Sequence, residues 1–115
     1  MMDYSQLEDT EITIRVGETF GWNPYFINED GSVTFRDDRG RLKGRKNYCN
    51  NAADAWPIIS KHRISIEFDG DNSTEPQTTW CHTTNLGRTI GTQYQKNPLR
   101  AAMITFLMMQ EIQHA

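Results

Sequence analysis

The sequence predicts an α+β fold: a small antiparallel β-sheet packed against a long C-terminal helix, with an N-terminal and a middle helix. Three observations support this prediction. A chain of 115 residues fits one domain spanning residues 1–115. Alternating polar and apolar segments are joined by short links, which favours antiparallel strands. The last segment combines a strong helix start with apolar residues at helical spacing.

Composition indicates a globular domain without a membrane segment. Apolar residues make up 37% of the chain, and it contains three Trp, four Tyr and five Phe, which argues against disorder. The net charge of -3 is not that of a typical nucleic-acid-binding protein. Two cysteines do not make a disulfide framework, and neither a signal peptide nor a membrane span is visible. We therefore expect a protein of the cytoplasm with free thiols.

The N-terminal segment "DTEITIRVGETFG" predicts a helix, because Asp9 or Thr10 can cap its start and Gly21 its end. The following stretch "WNPYFINEDG" reads as a loop that ends in a turn. A short strand then places Val33 and Phe35 on its inward face.

Residues 36–47, "RDDRGRLKGRKN", hold six of the twelve Lys and Arg residues and only one aliphatic residue, Leu42. Such a run cannot bury a face, so it predicts a flexible basic loop. Its local net charge is +4, which favours a polyanion through counterion release. Residues 36–46 are therefore a candidate nucleic-acid-binding loop, although a solvated loop has the same composition. The candidate contacts are Arg39, Arg41, Lys43, Arg45 and Lys46.

The segment "NNAADAWPIISKHR" predicts a helix that begins at Asn50 or Asn51. Pro57 removes a backbone donor, so we expect a kink or a restart near Trp56. Trp56 and Trp80 are expected to anchor the core, since aromatic side chains dominate the burial available to a small domain.

Three further segments predict strands. In "RISIEFDGDNS" one face carries Ile64, Ile66 and Phe68, and "DGDN" marks a turn. Pro76 keeps the next stretch in a loop, after which "QTTWCHTT" fits a second strand. "RTIGTQYQ" is either a third strand or an extended loop.

The C-terminal segment "NPLRAAMITFLMMQEIQ" predicts the strongest helix, with Asn97 as N-cap and Pro98 at the first helical position. Two apolar stripes indicate burial on two sides, against the sheet and against another helix or a second subunit. Arg100 opposes the helix dipole in the first turn, which indicates a structural ion pair, with Asp54 or Glu67, or a surface contact with a partner; the ion pair is the favoured interpretation.

No catalytic, metal or cofactor site is indicated. Cys81 and His82 are adjacent, so on a strand they point to opposite faces and are unsuited to binding one metal ion. Pairing of Cys49 or Cys81 with His62 or His82 would need an activated thiolate, and no local sequence supplies one. The simpler interpretation is that both cysteines are partly buried, unreactive thiols.

The strings "MDYSQLEDTEI", "YCNNAADAWPIISKHRISI" and "NPLRAAMITFLMMQ" resemble the NinX-like family of lambdoid phage proteins. The resemblance implies a phage or prophage protein with an accessory role in the bacterial host cell. It carries over no catalytic residue, because the family has none established. The residues that match the family's pattern do so as a fold motif: Trp56, Pro57, Asn97, Pro98, Leu99, Arg100, Ala101, Ala102 and Met103.

Two functions follow as hypotheses. The first is a non-enzymatic accessory protein that binds a host or phage protein or associates with itself, because the C-terminal helix is apolar on two sides. The second is a nucleic-acid-binding accessory factor that uses residues 36–46. An enzyme with an unmarked pocket would need a deep cleft lined by His62 or His82 and several acids.

Overall fold

The computed structural model describes residues 2–71, 73 and 78–114. These residues form three α-helices and two three-stranded antiparallel sheets, which confirms the α+β class. The elements in chain order are α1 (Asp9–Glu18), β1 (Asn23–Ile27), β2 (Val33–Arg36), β3 (Leu42–Lys46), α2 (Ala52–Lys61), β4 (Ser65–Asp71), β5 (Thr78–Thr84), β6 (Gly91–Gln95) and α3 (Pro98–Gln113).

The first sheet has the order β1-β2-β3, and the sequence predicted only its central strand. Val33 and Phe35 are fully buried on β2, as predicted, and Phe35 is opposite Gly44 of β3. The prediction of a loop for the basic run is wrong for residues 42–46, which form β3, whereas residues 37–41 form the turn between β2 and β3. Backbone pairing forms β3 without a buried apolar side chain, since Leu42 is 66% exposed. Asp37 closes the turn by accepting hydrogen bonds from the amides of Arg39 and Arg41, both at 2.9 Å.

Helix α1 is confirmed, but its start differs from the prediction. Asp9 is the first helical residue, and the Thr10 hydroxyl donates to the carbonyl of Gly31 instead of capping the helix. Gly17 packs directly on the ring of Phe35, so this close approach of α1 to β2 requires glycine.

Helix α3 lies at the centre of the molecule. Every residue from 101 to 107 is buried, and the helix packs on α1, α2, β5 and β6, which confirms that it is buried on more than one side. Phe35 and Phe106 are the largest fully buried side chains of the core that it shares with α1 and β2. Burial of one such ring stabilises the fold by about 1.5–3 kcal/mol.

Helix α2 starts after Asn51, whose side chain accepts a hydrogen bond from the amide of Ala53. The helix is continuous through Pro57, so of the two predicted alternatives, a kink or a restart, the restart is wrong. Ala55, Ile58 and Ile59 form its buried face, and this face holds the helix against α3. Trp56 points away from that face and is 62% exposed, so the prediction that it anchors the core is also wrong.

The second sheet has the order β4-β5-β6. Thr83 of β5 is fully buried, and its hydroxyl lies 2.7 Å from those of Thr92 and Thr105 and 3.1 Å from the carbonyl of Ala101. These bonds tie the sheet to α3. The predicted "DGDN" turn is wrong for Asp69–Asp71, which belong to β4, and Pro76 lies outside the described residues.

Phe68 is 66% exposed because β4 is an edge strand and α3 mainly covers β5 and β6. Trp80 is half-buried. None of the described helices combines the length and the apolar character needed to cross a membrane.

Candidate interaction surface on the first sheet

Strand β1 is the most exposed apolar element among the described residues. All five of its residues are exposed, and three in succession are large and apolar: Tyr25 at 57%, Phe26 at 58% and Ile27 at 56%. Scattered exposed apolar residues are ordinary, whereas a contiguous group marks a contact surface.

The outer edge of β1 pairs with no other strand in the described part of the chain. The amide of Asn28 donates to the carbonyl of Ser32 at 2.8 Å, across the hairpin. Since consecutive amides alternate in direction along a strand, that of Ile27 points away from β2. Because Pro24 has no N–H group, the backbone donors on the outer edge of β1 come from residues after position 24.

Arg36 of β2 borders this exposed strand. Its guanidinium carbon lies 3.6 Å from the centroid of the Tyr25 ring, which is a cation–π contact. The contact joins a cation to an exposed aromatic ring on one side of the sheet.

Four of the five cations predicted to bind nucleic acid are ion-paired. Arg41 and Lys43 share Asp37, at 2.9 and 3.7 Å. Arg45 lies 2.7 Å from Asp30, and Lys46 lies 3.9 Å from Asp54. Only Arg39 has no ion pair with a described residue. The fold therefore brings Asp30 and Asp54 to the basic run and offsets much of its local positive charge.

Among the carboxylates paired with the basic run, Asp30 has the largest change in pKa. Hydrogen bonds from Ser32, with a smaller contribution from Arg45, lower the pKa of Asp30 from 3.8 to about 2. Because the pKa is lower in the folded state, the stabilisation is complete above about pH 4 and is lost as the pH falls through about 2.

We expect an NMR titration of the Asp30 carboxyl carbon to have its midpoint near pH 2. In the Asp30→Asn variant, the free energy of unfolding should no longer show the part of its pH dependence between pH 4 and pH 2 that Asp30 causes. A midpoint near the ordinary value of 3.8 would show that the bonds from Ser32 do not form in solution.

The two cysteines are free and buried, as predicted. Burial, with a further contribution from Asp9, raises the pKa of the Cys49 thiol to about 12, so this thiol stays protonated and unreactive at neutral pH. Burial also raises the pKa of Cys81. His62 ends α2 against the ring of Phe106, and burial lowers its pKa.

His82 lies on the outer face of the second sheet, opposite Glu67. Its Nδ1 atom accepts a 3.4 Å hydrogen bond from the amide of Tyr94. The adjoining open groove has a volume of about 340 Å³, and its single carboxylate, Glu67, is paired with Arg88 at 2.9 Å. This groove does not have the several acids that the enzyme hypothesis requires. In the described residues no group of three His, Cys, Asp or Glu side chains is placed to hold a metal ion.

The C-terminal motif starts α3 as predicted. The Asn97 side chain accepts hydrogen bonds from the amides of Leu99 and Arg100, at 3.0 and 3.2 Å, and Pro98 is the first helical residue. Leu99 is partly buried and Met103 fully buried against the core. The motif residues thus have structural roles.

Arg100 forms the predicted structural ion pair, but with a different partner. It contacts Asp9 at 2.8 Å, not Asp54 or Glu67. The same guanidinium donates to the carbonyls of Ser5 and Leu7, at 3.0 and 2.7 Å. It therefore fixes the chain entering α1 to the start of α3.

The exposure of Trp56 gives a stability prediction. We expect Trp56→Ala to lower the free energy of unfolding by less than about 1 kcal/mol, because a surface side chain loses little burial. Ile59→Ala, one turn along the helix and 3% exposed, should cost about 2–5 kcal/mol. Urea denaturation of both variants checks this, and equal losses would place Trp56 in the core.

The family model described as "Bacteriophage P22, NinX" matches residues 3–110. No curated protein matches the chain, and neither does any solved structure. The family match confirms the resemblance inferred from the three sequence strings. Because it spans nearly the whole described fold, from the segment before α1 into α3, the chain belongs to the NinX family of bacteriophage P22.

Proposed function

We propose that this phage protein acts in the cytoplasm of the infected bacterium as a non-enzymatic accessory protein, by protein binding or self-association through strand β1. The observation that carries the proposal is the run of three exposed apolar residues, Tyr25, Phe26 and Ile27, on an edge strand.

Two features make β1 suited to protein binding. Its free edge offers backbone groups to which an added strand can bond, and its side chains supply apolar contact area. Aromatic residues contribute most to protein interfaces, and Arg36 beside Tyr25 provides the polar rim that such interfaces commonly have.

The test uses tagged protein recovered from infected bacteria. We expect Phe26→Glu to lose the proteins that the wild type retains, because the charge would be buried at the contact. Leu86→Glu is the matched control, since Leu86 is 66% exposed in a turn of the second sheet. Equal recovery by wild type and Phe26→Glu would rule out β1 as the binding strand.

A second candidate function is nucleic-acid binding by the hairpin of β2 and β3. It is favoured by the stacking of Arg36 on Tyr25, because cations beside exposed rings suit single strands, and by the exposed Arg39, which has no ion pair with a described residue. The ion pairs of Arg41, Lys43 and Arg45 count against it.

Fluorescence anisotropy with a labelled single-stranded oligonucleotide tests this second function. Binding should weaken steeply with added salt and fail in a variant with Arg39, Arg41, Lys43 and Arg45 replaced by alanine. A lack of measurable affinity at low salt would exclude it.

A further inference from the structure

We infer that β1 pairs with β1 of a second copy of this chain, in an antiparallel contact across a twofold axis at Phe26. The inference rests on the proposed function, since it names the partner of that same strand. The product is a continuous six-stranded sheet in which each copy contributes β3, β2 and β1.

The charges of the edge strands select β1 for this contact. A copy paired antiparallel through β3 would bring Lys43, Arg45 and Lys46 against the same cations. A copy paired antiparallel through β4 would bring Glu67, Asp69 and Asp71 against the same three carboxylates. Like charges opposite one another destabilise a strand pair, and charged edges of this kind prevent self-pairing.

Strand β1, "NPYFI", carries no charge, so an antiparallel copy meets no repulsion along it. The remaining edge strand, β6, is also uncharged, but it packs beside α3, and Tyr94 is its single large exposed apolar side chain. Of the four edges, β1 is therefore the one that combines neutrality with a row of exposed apolar residues.

The backbone geometry is compatible with a twofold axis at Phe26, because Phe26 and Ile27 are in regular register with β2 and the irregularity of β1 lies between Pro24 and Phe26. In that register Tyr25 lies opposite Ile27 of the second copy, and Phe26 lies opposite its own equivalent. The amide of Ile27 points outward, as derived from the bond between Asn28 and Ser32. Pro24 lies opposite Asn28, at the end of the pairing, where its missing donor has the least effect.

The length of the strand sets the strength of the contact. Five residues span only about 17 Å of strand. We therefore expect the area buried per copy to be below the roughly 800 Å² that stable dimers bury. We therefore expect a reversible dimer whose population rises with protein concentration.

The test is analytical ultracentrifugation of the wild type and of two opposite charge variants. The wild type should show a sedimentation coefficient that increases with concentration. Phe26→Glu and Phe26→Lys should each stay monomeric, because like charges then meet at the axis. An equimolar mixture of the two should form dimers again, whereas Leu86→Glu should behave as the wild type does.

Hydrogen exchange gives an independent measurement on the unmodified protein. The amide of Ile27 should exchange more slowly as the wild-type concentration rises. A wild type that remains monomeric at millimolar concentration, or a mixture of the two variants that does not dimerise, would overturn the inference. If the wild type is monomeric but Phe26→Glu still loses a protein from infected bacteria, the inference fails and the proposed function stands.

Discussion

Replacement of Phe35 by alanine should lower the free energy of unfolding by about 3–5 kcal/mol, the usual cost of removing a buried aromatic ring. Phe35 is fully buried, packs on Gly17 of α1 and lies 6.0 Å from the ring of Trp22. Its loss leaves a cavity between α1 and the first sheet. Since small domains are stable by only about 5–15 kcal/mol, the variant should be close to unfolding.

Urea denaturation followed by circular dichroism measures this effect. Phe68→Ala is the matched control, because it removes the same ring from a position that is 66% exposed on β4. We expect the control to cost less than about 1 kcal/mol. Similar losses in the two variants would mean that Phe35 does not hold α1 on the sheet.

Replacement of Arg100 by alanine should lower the free energy of unfolding by about 2–3 kcal/mol, since hydrogen bonds to charged groups are stronger than neutral ones. Its side chain is 18% exposed, and it makes three contacts, to Asp9, Ser5 and Leu7. Removal of the guanidinium leaves the two carbonyls and the carboxylate without this donor.

Arg88→Ala is the control for that prediction. Arg88 forms an ion pair of similar length, 2.9 Å to Glu67, but with side-chain exposures of 68% and 54%. Solvent-exposed pairs contribute about 0–1 kcal/mol, so this variant should stay close to the wild type in thermal denaturation. Equal melting temperatures for the Arg100 and Arg88 variants would contradict the structural role given to Arg100.

The elements that the sequence predicts correctly are those with local signals. Asn97 and Pro98 define the start of α3 through capping, which depends only on neighbouring residues. Val33 and Phe35 alternate with polar residues, which shows the buried face of β2. The partner of Arg100 could not be predicted in this way, because Asp9 is 91 residues away and only the packing of α1 on α3 brings it near.

The sequence does not predict the two outer strands of the first sheet, because these strands lack a burial pattern. The side chains of β1 are exposed throughout, and β3 is mostly basic, so neither shows alternation. Both form through backbone bonds to β2. One signal for β1 was present in the sequence: the aromatic and β-branched run Tyr25, Phe26 and Ile27 favours a strand.

The same exposure explains why the candidate contact surface was not predicted. The sequence predicts Trp56 in the core, but it lies outside, and the apolar surface lies on β1, for which the sequence predicts a loop. A sequence pattern reports which residues can be buried together. Whether an apolar strand is covered within its own chain depends on the tertiary packing.

Site-specific photocrosslinking in infected bacteria tests most directly whether a protein covers β1. A photoreactive phenylalanine analogue would replace Phe26 in one variant and Leu86 in another, since both side chains are exposed. We expect position 26 to give a discrete crosslinked protein product, either a second copy or another protein, and position 86 to give none. Irradiation that yields no product from position 26 beyond the background from position 86 would contradict a protein contact at this strand.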